Sequence, residues 1–264
     1  MRIARRVLAA AAGVVLLLPV LPASAFVPRA DRVADAIART NKADGRAQAL
    51  RLELNLRIED GEPVAKGELV THPTGLARLE LRGAGDLVER HVLQGSEHRA
   101  SRNGRVLDPP RAFLPPLFLL QTDSGVTLRA ALAAFGVQAD AIGLAPCGMS
   151  DCYILGDPSQ IIPTLPLEGE PPIPLRDPDR RSRDDLPKIW VDTTSFEVLR
   201  VDSERGVRVR FGPPTQFEQV RFPSWIQIDE PGKRSVRFEI LRATPVNAPA
   251  SAFGEAWLFG TPTR

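Results

Sequence analysis

The stretch Leu50-Arg51-Leu52-Glu53-Leu54-Asn55-Leu56-Arg57-Ile58 has an apolar residue at every second position and a polar residue between each pair. Successive side chains of a β-strand point to opposite faces of the sheet, so this period of two predicts a strand with one apolar and one hydrated face. Asp60-Gly61 follows closely and is typical of a hairpin turn. The chain is therefore expected to continue as antiparallel strands.

Similar alternation follows this stretch, whereas a helical pattern precedes it. Residues 65–72 and 76–82 predict the next two strands, and later glycines separate further short ones. A period near 3.6 places four apolar residues of the segment 31–44 on one stripe: Val33, Ala34, Ile37 and Ala38. One amphipathic helix is therefore expected before the sheet.

The middle of the chain is less regular. Residues 113–120 are apolar but contain Pro115-Pro116, and residues 127–135 predict a short helix. Residues 156–187 hold eight prolines and a run with equal numbers of Arg and Asp. This composition predicts a long, charged surface loop, with an interdomain linker as the alternative.

The period of two returns after Lys188. The alternating apolar residues lie in several short stretches: Ile189–Val191, Phe196–Val201, Val207–Phe211, Ile226–Ile228 and Val236–Ile240. The whole pattern predicts about nine to eleven antiparallel strands, and no βαβ unit or internal repeat is visible. The predicted fold class is α+β and mainly antiparallel β, with residues 26–264 forming a single domain.

The first 25 residues have the pattern of a secretory leader. Arg2, Arg5 and Arg6 precede the apolar run 7–21, and Ala23-Ser24-Ala25 resembles a cleavage site. The run is shorter than the roughly 20 residues that a membrane-spanning helix needs. We therefore expect an exported periplasmic protein, with a retained leader that anchors the chain to the membrane as the alternative.

The charge of the chain argues against a nucleic-acid partner. Removing the leader takes away three arginines and leaves 31 basic against 32 acidic side chains. The mature chain therefore lacks the excess positive charge that binding to nucleic acids requires. Aromatic residues are also sparse, at 6% of the chain, which leaves little material for stacking on bases.

The sequence offers little for catalysis. His72, His91 and His98 are the only histidines, and Ser96 lacks the Gly-x-Ser-x-Gly pattern of a nucleophile elbow. A zinc site built from Glu89, His91 and His98 has no compact ligand spacing. No nucleotide-binding glycine motif is present. We expect no enzyme activity, no cofactor and no metal.

Cys147 and Cys152 are the only cysteines and are separated by four residues. In an exported chain this arrangement favours a structural disulfide that closes a small hairpin. Free thiols and a redox or metal role are the alternatives, although a redox motif usually has two intervening residues.

The apolar face of the predicted sheet has only one long helix to cover it. Either the helix, residues 113–120 and residues 127–135 fill the concave side completely, or part of it stays open for an apolar ligand. Periodicity alone favours the filled core, but the same pattern is compatible with a concave side that is partly open.

Three stretches resemble a known family. They are Gly67-Glu68-Leu69-Val70-Thr71-His72-Pro73 with the strand after it, Trp190-Val191-Asp192 with the hairpin after it, and Phe222-Pro223-Ser224-Trp225-Ile226 with the last strand, Asn247 and Phe253. Their order and spacing over about residues 30–255 resemble the periplasmic outer-membrane lipoprotein carrier LolA and its receptor relative LolB.

The resemblance implies an unclosed, curved β-barrel or sheet wrapped over helices, with a hydrophobic cavity for acyl chains. On that basis ten residues are predicted to face the cavity: Ile37, Leu52, Leu54, Leu56, Leu69, Leu79, Leu81, Leu132, Val209 and Ile228. His72 stands where the carriers have a basic residue before proline, which makes it the candidate for cargo handling.

The function that the resemblance implies is a monomeric periplasmic carrier for the acyl chains of lipoproteins or lipids. Its partners would be an inner-membrane transporter and an outer-membrane acceptor. The alternative is a non-catalytic envelope sensor or adaptor of the same fold that uses the loop 156–187 to dock on a membrane partner. A lipid hydrolase that uses Ser96 and the histidines is a third, weaker alternative.

Overall fold

The computed structural model describes residues 27–148, 150–157, 186–203 and 206–260. The predicted leader and nearly all of the predicted loop 156–187 lie outside the described residues. Asp157, at the described start of this loop, and Lys188, directly after it, form a buried ion pair of 3.4 Å. None of the described helices is both long enough and apolar enough to cross a membrane.

The described residues contain fifteen strands. Their bounds are β1 (Leu50–Ile58), β2 (Pro63–Thr71), β3 (Leu76–Gly83), β4 (Val88–Gln94), β5 (Glu97–Arg102), β6 (Arg105–Val106), β7 (Ile142–Cys147), β8 (Ser150–Leu155), β9 (Lys188–Asp192), β10 (Val198–Asp202), β11 (Arg208–Phe211), β12 (Pro214–Phe217), β13 (Val220–Pro223), β14 (Trp225–Asp229) and β15 (Val236–Pro245).

Thirteen strands form one antiparallel sheet in the order β6-β5-β4-β3-β2-β1-β15-β14-β11-β10-β9-β8-β7, and β12 and β13 form a separate hairpin. The edge strands β6 and β7 do not pair with each other, so the sheet is unclosed, as predicted. The expected nine to eleven strands were too few. The extra strands are two to six residues long, and several contain proline, so they show too little alternation to be recognised.

The first predicted strand is confirmed and lies in the middle of the sheet, between β2 and β15. Its four leucines are buried, whereas Arg51 and Glu53 are exposed. Gly67 pairs with Leu54 on one side and Leu81 on the other. A Cβ atom at Gly67 would lie within 3 Å of both leucine side chains, so the absent side chain makes room for them.

A β-bulge adjusts the last strand to the same core. Glu53 pairs with Arg242 and Leu54 pairs with Ile240, which leaves Leu241 unpaired and 55% exposed. The extra residue shifts the alternation, so that Ile240 and Ala243 are both buried.

Helices cover the inner face of the sheet. Helix α1 (Ala30–Ala43) and helix α2 (Gly125–Ala134) confirm the two predicted helices to within two residues at each end. Between them in sequence, the apolar segment 113–120 ends in a 3₁₀ turn, Leu117–Leu120, whose side chains are all buried. The inner strand residues, both helices and this segment form one continuous hydrophobic core.

Two buried amides hold the covering segment in place. Asn41 of α1 donates from Nδ2 to the carbonyl oxygens of Leu119 and Thr122, at 3.0 and 2.9 Å. Gln121 donates from Nε2 to the carbonyl of Gln48 at 2.7 Å and accepts a hydrogen bond from Thr71 in β2. These bonds satisfy backbone groups that burial would otherwise leave unpaired.

The C-terminal segment, residues 246–260, covers the outer face of β2–β5. It includes helix α3 (Glu255–Phe259), and its Phe253 and Leu258 pack with Val70 and Val92 in a second hydrophobic cluster. The guanidinium groups of Arg78 and Arg90 lie 5.1 and 5.3 Å from the centre of the Trp257 ring. This part of the sheet is therefore buried on both faces.

Two sequence features have structural roles in the second half of the sheet. Asp192, of the Trp190-Val191-Asp192 stretch, accepts hydrogen bonds from the backbone N–H groups of Thr194 and Ser195 and so fixes the turn before β10. Burial alone would raise the pKa of Asp192, but these bonds and a third from the Ser195 hydroxyl outweigh it and lower this pKa. Cys147 and Cys152 form the predicted disulfide, which links β7 to β8.

Helices α1 and α2 approach each other closely at Gly125. A Cβ atom there would lie 2.8 Å from the backbone nitrogen of Asp35 and 3.0 Å from its Cα. Because backbone cannot move aside as a side chain can, only glycine allows this approach.

We expect Gly125→Ala to lower the free energy of unfolding by about 1–3 kcal/mol, the usual effect of overpacking. The measurement is urea denaturation followed by circular dichroism. Val126→Ala is the control, because Val126 is the next residue in α2 and is 68% exposed. Equal stability of Gly125→Ala and Val126→Ala would contradict the close approach of the helices.

Candidate functional site

A cavity of about 500 Å³, which we call the main cavity, lies on the inner side of the sheet and is partly open to solvent. This volume is within the range of about 300–1,000 Å³ that is typical of small-molecule sites. The described residues that line it are Leu93, Gly95, Ser96, His98, Ala112, Leu114, Pro115, Pro116, Ala133, Ala134, Phe135, Gly136, Val201, Ser203, Val207 and Val209.

The curvature of the sheet creates the main cavity. Leu93 and His98 come from the β4–β5 hairpin, whereas Val201 and Val209 come from β10 and β11. Five strands separate β4 from β11 in the sheet order, so the sheet must curl to bring these walls together. The segment 112–116 and the C-terminal end of α2 provide the remaining wall.

The part of the lining that the structure describes is apolar apart from three uncharged polar side chains. Ser96, His98 and Ser203 supply hydroxyl and imidazole groups. Asp, Glu, Lys and Arg do not occur among the described lining residues. The main cavity therefore suits an apolar molecule with few polar atoms.

A chain of hydrogen bonds leads from the main cavity into the protein. The Nε2 atom of His98 lies 3.0 Å from Nδ1 of His91, and Nε2 of His91 lies 2.9 Å from the carboxylate of Glu89. Arg102 donates to the other carboxylate oxygen through Nε and Nη2, at 3.0 and 2.8 Å. We call Glu89, His91 and His98 the polar chain.

The strand register assembles the polar chain. Glu89, His91 and Leu93 alternate along β4, and His98 pairs with Leu93 across the hairpin. Directly opposite residues of an antiparallel pair share a face, so His91 and His98 are diagonal neighbours on the inner face. The ring of His91 is fully buried, and its centre lies 5.3 Å from that of Phe113.

Burial and hydrogen bonding shift the pKa values of both ends of the polar chain. Burial alone would raise the pKa of Glu89, but the hydrogen bonds from His91 and Arg102 outweigh it and lower this pKa to about 2. Burial, followed by the interaction with His91, lowers the pKa of His98 to about 4. At neutral pH Glu89 is therefore ionised and His98 is neutral.

The three residues of the sequence-based zinc hypothesis do meet, but in a line. His91 uses one ring nitrogen for Glu89 and the opposite nitrogen for His98, so the three side chains do not converge on one point. Throughout the part of the chain that the structure describes, no group of three His, Cys, Asp or Glu side chains is placed to hold a metal ion.

The structure places most of the predicted cavity residues in the packed core. Eight of the ten are at most 6% exposed and belong to the continuous core rather than to the lining of the main cavity: Ile37, Leu52, Leu54, Leu56, Leu69, Leu79, Leu81 and Leu132. Val209 lines the main cavity, and Ile228 lines a second cavity of about 350 Å³ beside Arg111, Phe113 and Lys233.

His72 lies apart from the main cavity. Its ring is 6.4 Å from that of Phe253, in the segment that covers the outer face of the sheet. Its Nδ1 accepts a hydrogen bond from the backbone N–H of Thr74 at 3.2 Å and lies 2.7 Å from the hydroxyl of the same residue. A role of His72 in cargo handling remains a prediction.

Sequence reasoning missed most of the lining of the main cavity. Ala133, Ala134 and Gly136 lie where α2 ends, outside the apolar stripe of that helix, and Pro115 lies in a segment without periodicity. The sequence did offer one signal for the polar side of the main cavity, namely the β4–β5 hairpin. Its turn at Gly95 fixes the register that brings His98 beside His91.

Neither family models nor curated proteins match this chain. Among solved structures, a LolA superfamily protein from Nitrosomonas europaea superposes with a TM-score of 0.50 at 8% identity, over 88% of this chain and 100% of that chain. This similarity shows the fold, so the predicted LolA-like architecture is confirmed.

Two further solved structures give a TM-score of 0.40. One is a putative outer membrane lipoprotein-sorting protein domain from Vibrio parahaemolyticus, at 9% identity over 87% of this chain and 99% of that chain. The other is a DUF1329 family protein from Desulfovibrio piger, at 13% identity over 88% of this chain and 100% of that chain.

The low pKa of His98 makes stability depend on pH. Between its ordinary value of 6.5 and about 4, the unfolded chain binds a proton at His98 that the folded chain does not. Stability therefore falls as the pH decreases through this window. We expect a loss of roughly 2 kcal/mol between pH 7 and pH 4.5 from this group.

The measurement is urea denaturation at several pH values, and His98→Gln should remove most of this slope. His72→Gln is the control, because it leaves the polar chain intact and should keep the slope. An unchanged slope in His98→Gln would show that the decrease has another source.

Proposed function

We propose that this protein is a non-catalytic periplasmic carrier that holds an acyl chain of a lipid or lipoprotein in the main cavity. The observation that carries this proposal is the main cavity itself, which is apolar, partly open to solvent and walled by distant strands of one curled sheet. The LolA-like fold is consistent with the proposal.

Elementary energetics explain why such a carrier is useful. Each buried methylene group contributes about 0.8 kcal/mol, so a sixteen-carbon chain resists entering water by about 12 kcal/mol. A protein that covers the chain removes this barrier to crossing an aqueous compartment. The partial opening to solvent gives the chain a route for entry and release.

The arrangement of polar groups supports binding rather than hydrolysis. Ser96 and His98 both line the main cavity, yet no hydrogen bond joins them among the described contacts. The imidazole of His98 instead pairs with His91. Nucleophilic catalysis by serine requires a base within hydrogen-bond reach of the hydroxyl.

The leader pattern of residues 1–25 supports export to the periplasm. Delivery would then involve an inner-membrane transporter as donor and an outer-membrane acceptor. A monomer is sufficient for this role, because one chain supplies every wall of the main cavity.

Filling the main cavity tests the proposal. Ala134 lines it, is exposed and ends α2, so the larger side chain of Ala134→Trp should occupy it without disturbing the core. We expect the affinity for the neutral fluorescent probe N-phenyl-1-naphthylamine, and for monopalmitoylglycerol that displaces it, to fall by about tenfold or more.

Ala130→Trp is the matched control, because Ala130 is exposed on the same helix and is not a lining residue. It should bind both compounds as the wild type does. Failure of the wild-type protein to bind either compound would overturn the proposed function. Equal binding by Ala134→Trp and the wild type would place the ligand elsewhere.

A further inference from the structure

The polar chain ends at a mostly apolar cavity. Carriage of a lipid by the apolar walls alone leaves the polar chain without a role. Three consecutive buried or half-buried polar side chains, all on the inner face of the sheet, are costly to desolvate unless they are fully hydrogen-bonded. Two of them are satisfied within the protein. The third, His98, has one ring nitrogen that is not.

The hydrogen bonds within the polar chain determine which ring nitrogens carry protons. The ionised carboxylate of Glu89 accepts, so Nε2 of His91 must carry a proton. Nδ1 of His91 then faces Nε2 of His98, and one of the two donates to the other. Both arrangements use Nε2 of His98 and leave its Nδ1 without a hydrogen bond to any described residue.

Whether Nδ1 of His98 donates or accepts a hydrogen bond depends on whether His91 is neutral or protonated. With a neutral His91, Nε2–H of His98 donates and Nδ1 is an acceptor. With a protonated His91, Nε2 of His98 accepts and Nδ1 carries the proton. A ligand group that both donates and accepts, such as a hydroxyl, matches either arrangement.

Charge then restricts the class of ligand. The described lining contains no basic side chain to balance an anion and no acidic side chain to balance a cation. The carboxylate at the far end of the polar chain, Glu89, is already paired with Arg102 at 2.8 Å. A carboxylate or phosphate inside the main cavity would therefore be buried without a partner among the described lining residues.

We propose that His98 is a polar subsite of the main cavity, and that it selects acyl chains with an uncharged, hydrogen-bonding group, such as a glyceryl ester with free hydroxyls, over free fatty-acid anions. Ser96 and Ser203 offer further uncharged hydrogen-bonding groups in the same lining. This inference rests on the proposed function and specifies its ligand.

Two probes of equal chain length test the inference: monopalmitoylglycerol, which is uncharged, and palmitate, which is anionic at pH 7.5. Affinities are measured by displacement of N-phenyl-1-naphthylamine. We expect the wild type to prefer monopalmitoylglycerol by about tenfold, because palmitate must leave its carboxylate outside or bury it unpaired.

Two variants examine His98 directly. His98→Leu removes the hydrogen-bonding group and should weaken monopalmitoylglycerol binding by about two- to tenfold, with palmitate binding unchanged. His98→Gln keeps an uncharged polar group and should retain most of the preference. A loss of fold in either variant is detected by circular dichroism.

A measurement on the wild type avoids dependence on folding of the variants. The ¹⁵N chemical shift of Nδ1 in His98 should move when monopalmitoylglycerol binds and should stay in place when palmitate is added. A purely structural His98 would show no such difference.

The outcomes separate the two proposals. If the wild type binds neither lipid, the proposed function fails. If it binds both equally, or if His98→Leu leaves the preference intact, the carrier proposal stands and the polar subsite is wrong.

Discussion

The apolar inner face of a single curled sheet has to be kept from water, and most of the structure follows from this constraint. The leucines of β1 and the aligned residues of its neighbours form a face much wider than one helix can cover. Helices α1 and α2 and the segment 113–120 cover most of it. The main cavity lies where this cover ends, between the covering segments and the two flanks of the sheet.

The sequence pattern predicted the long strands and helices well, because the spacing of their apolar residues depends only on neighbouring positions in the chain. The alternation of residues 50–58 identified β1, the stripe in residues 31–44 identified α1, and the spacing of two cysteines identified a hairpin with its disulfide. Short strands such as β12 and β13 escaped because four residues are too few to show a period. The bulge at Leu241 has no local signature, since it depends on how β15 pairs with β1.

The candidate site was less predictable, because its walls come from residues that are distant in sequence and lack a pattern. An inward-facing leucine has the same sequence pattern whether it lies in a filled core, as Leu54 does, or faces empty space. Alternation places Val209 on the inner face, but only the curl of the sheet decides that it lines the main cavity. The histidines were judged by their spacing along the chain, whereas the hairpin register brings His91 and His98 together.

The clamp that residues 246–260 form on the outer face has a mechanical consequence for the main cavity. The wall formed by β4 and β5 is braced from outside through Trp257, Phe253 and hydrogen bonds from Arg90 and Ser101 to the carbonyls of Trp257 and Leu258. Among the described residues no such segment covers the opposite wall at β11, where Arg208 and Arg210 are exposed. Within the described residues, the two walls therefore differ in how much of their outer surface is held by other segments. Because these contacts restrain the β4–β5 wall that carries His98, we expect a bulkier guest to displace the β11 wall instead.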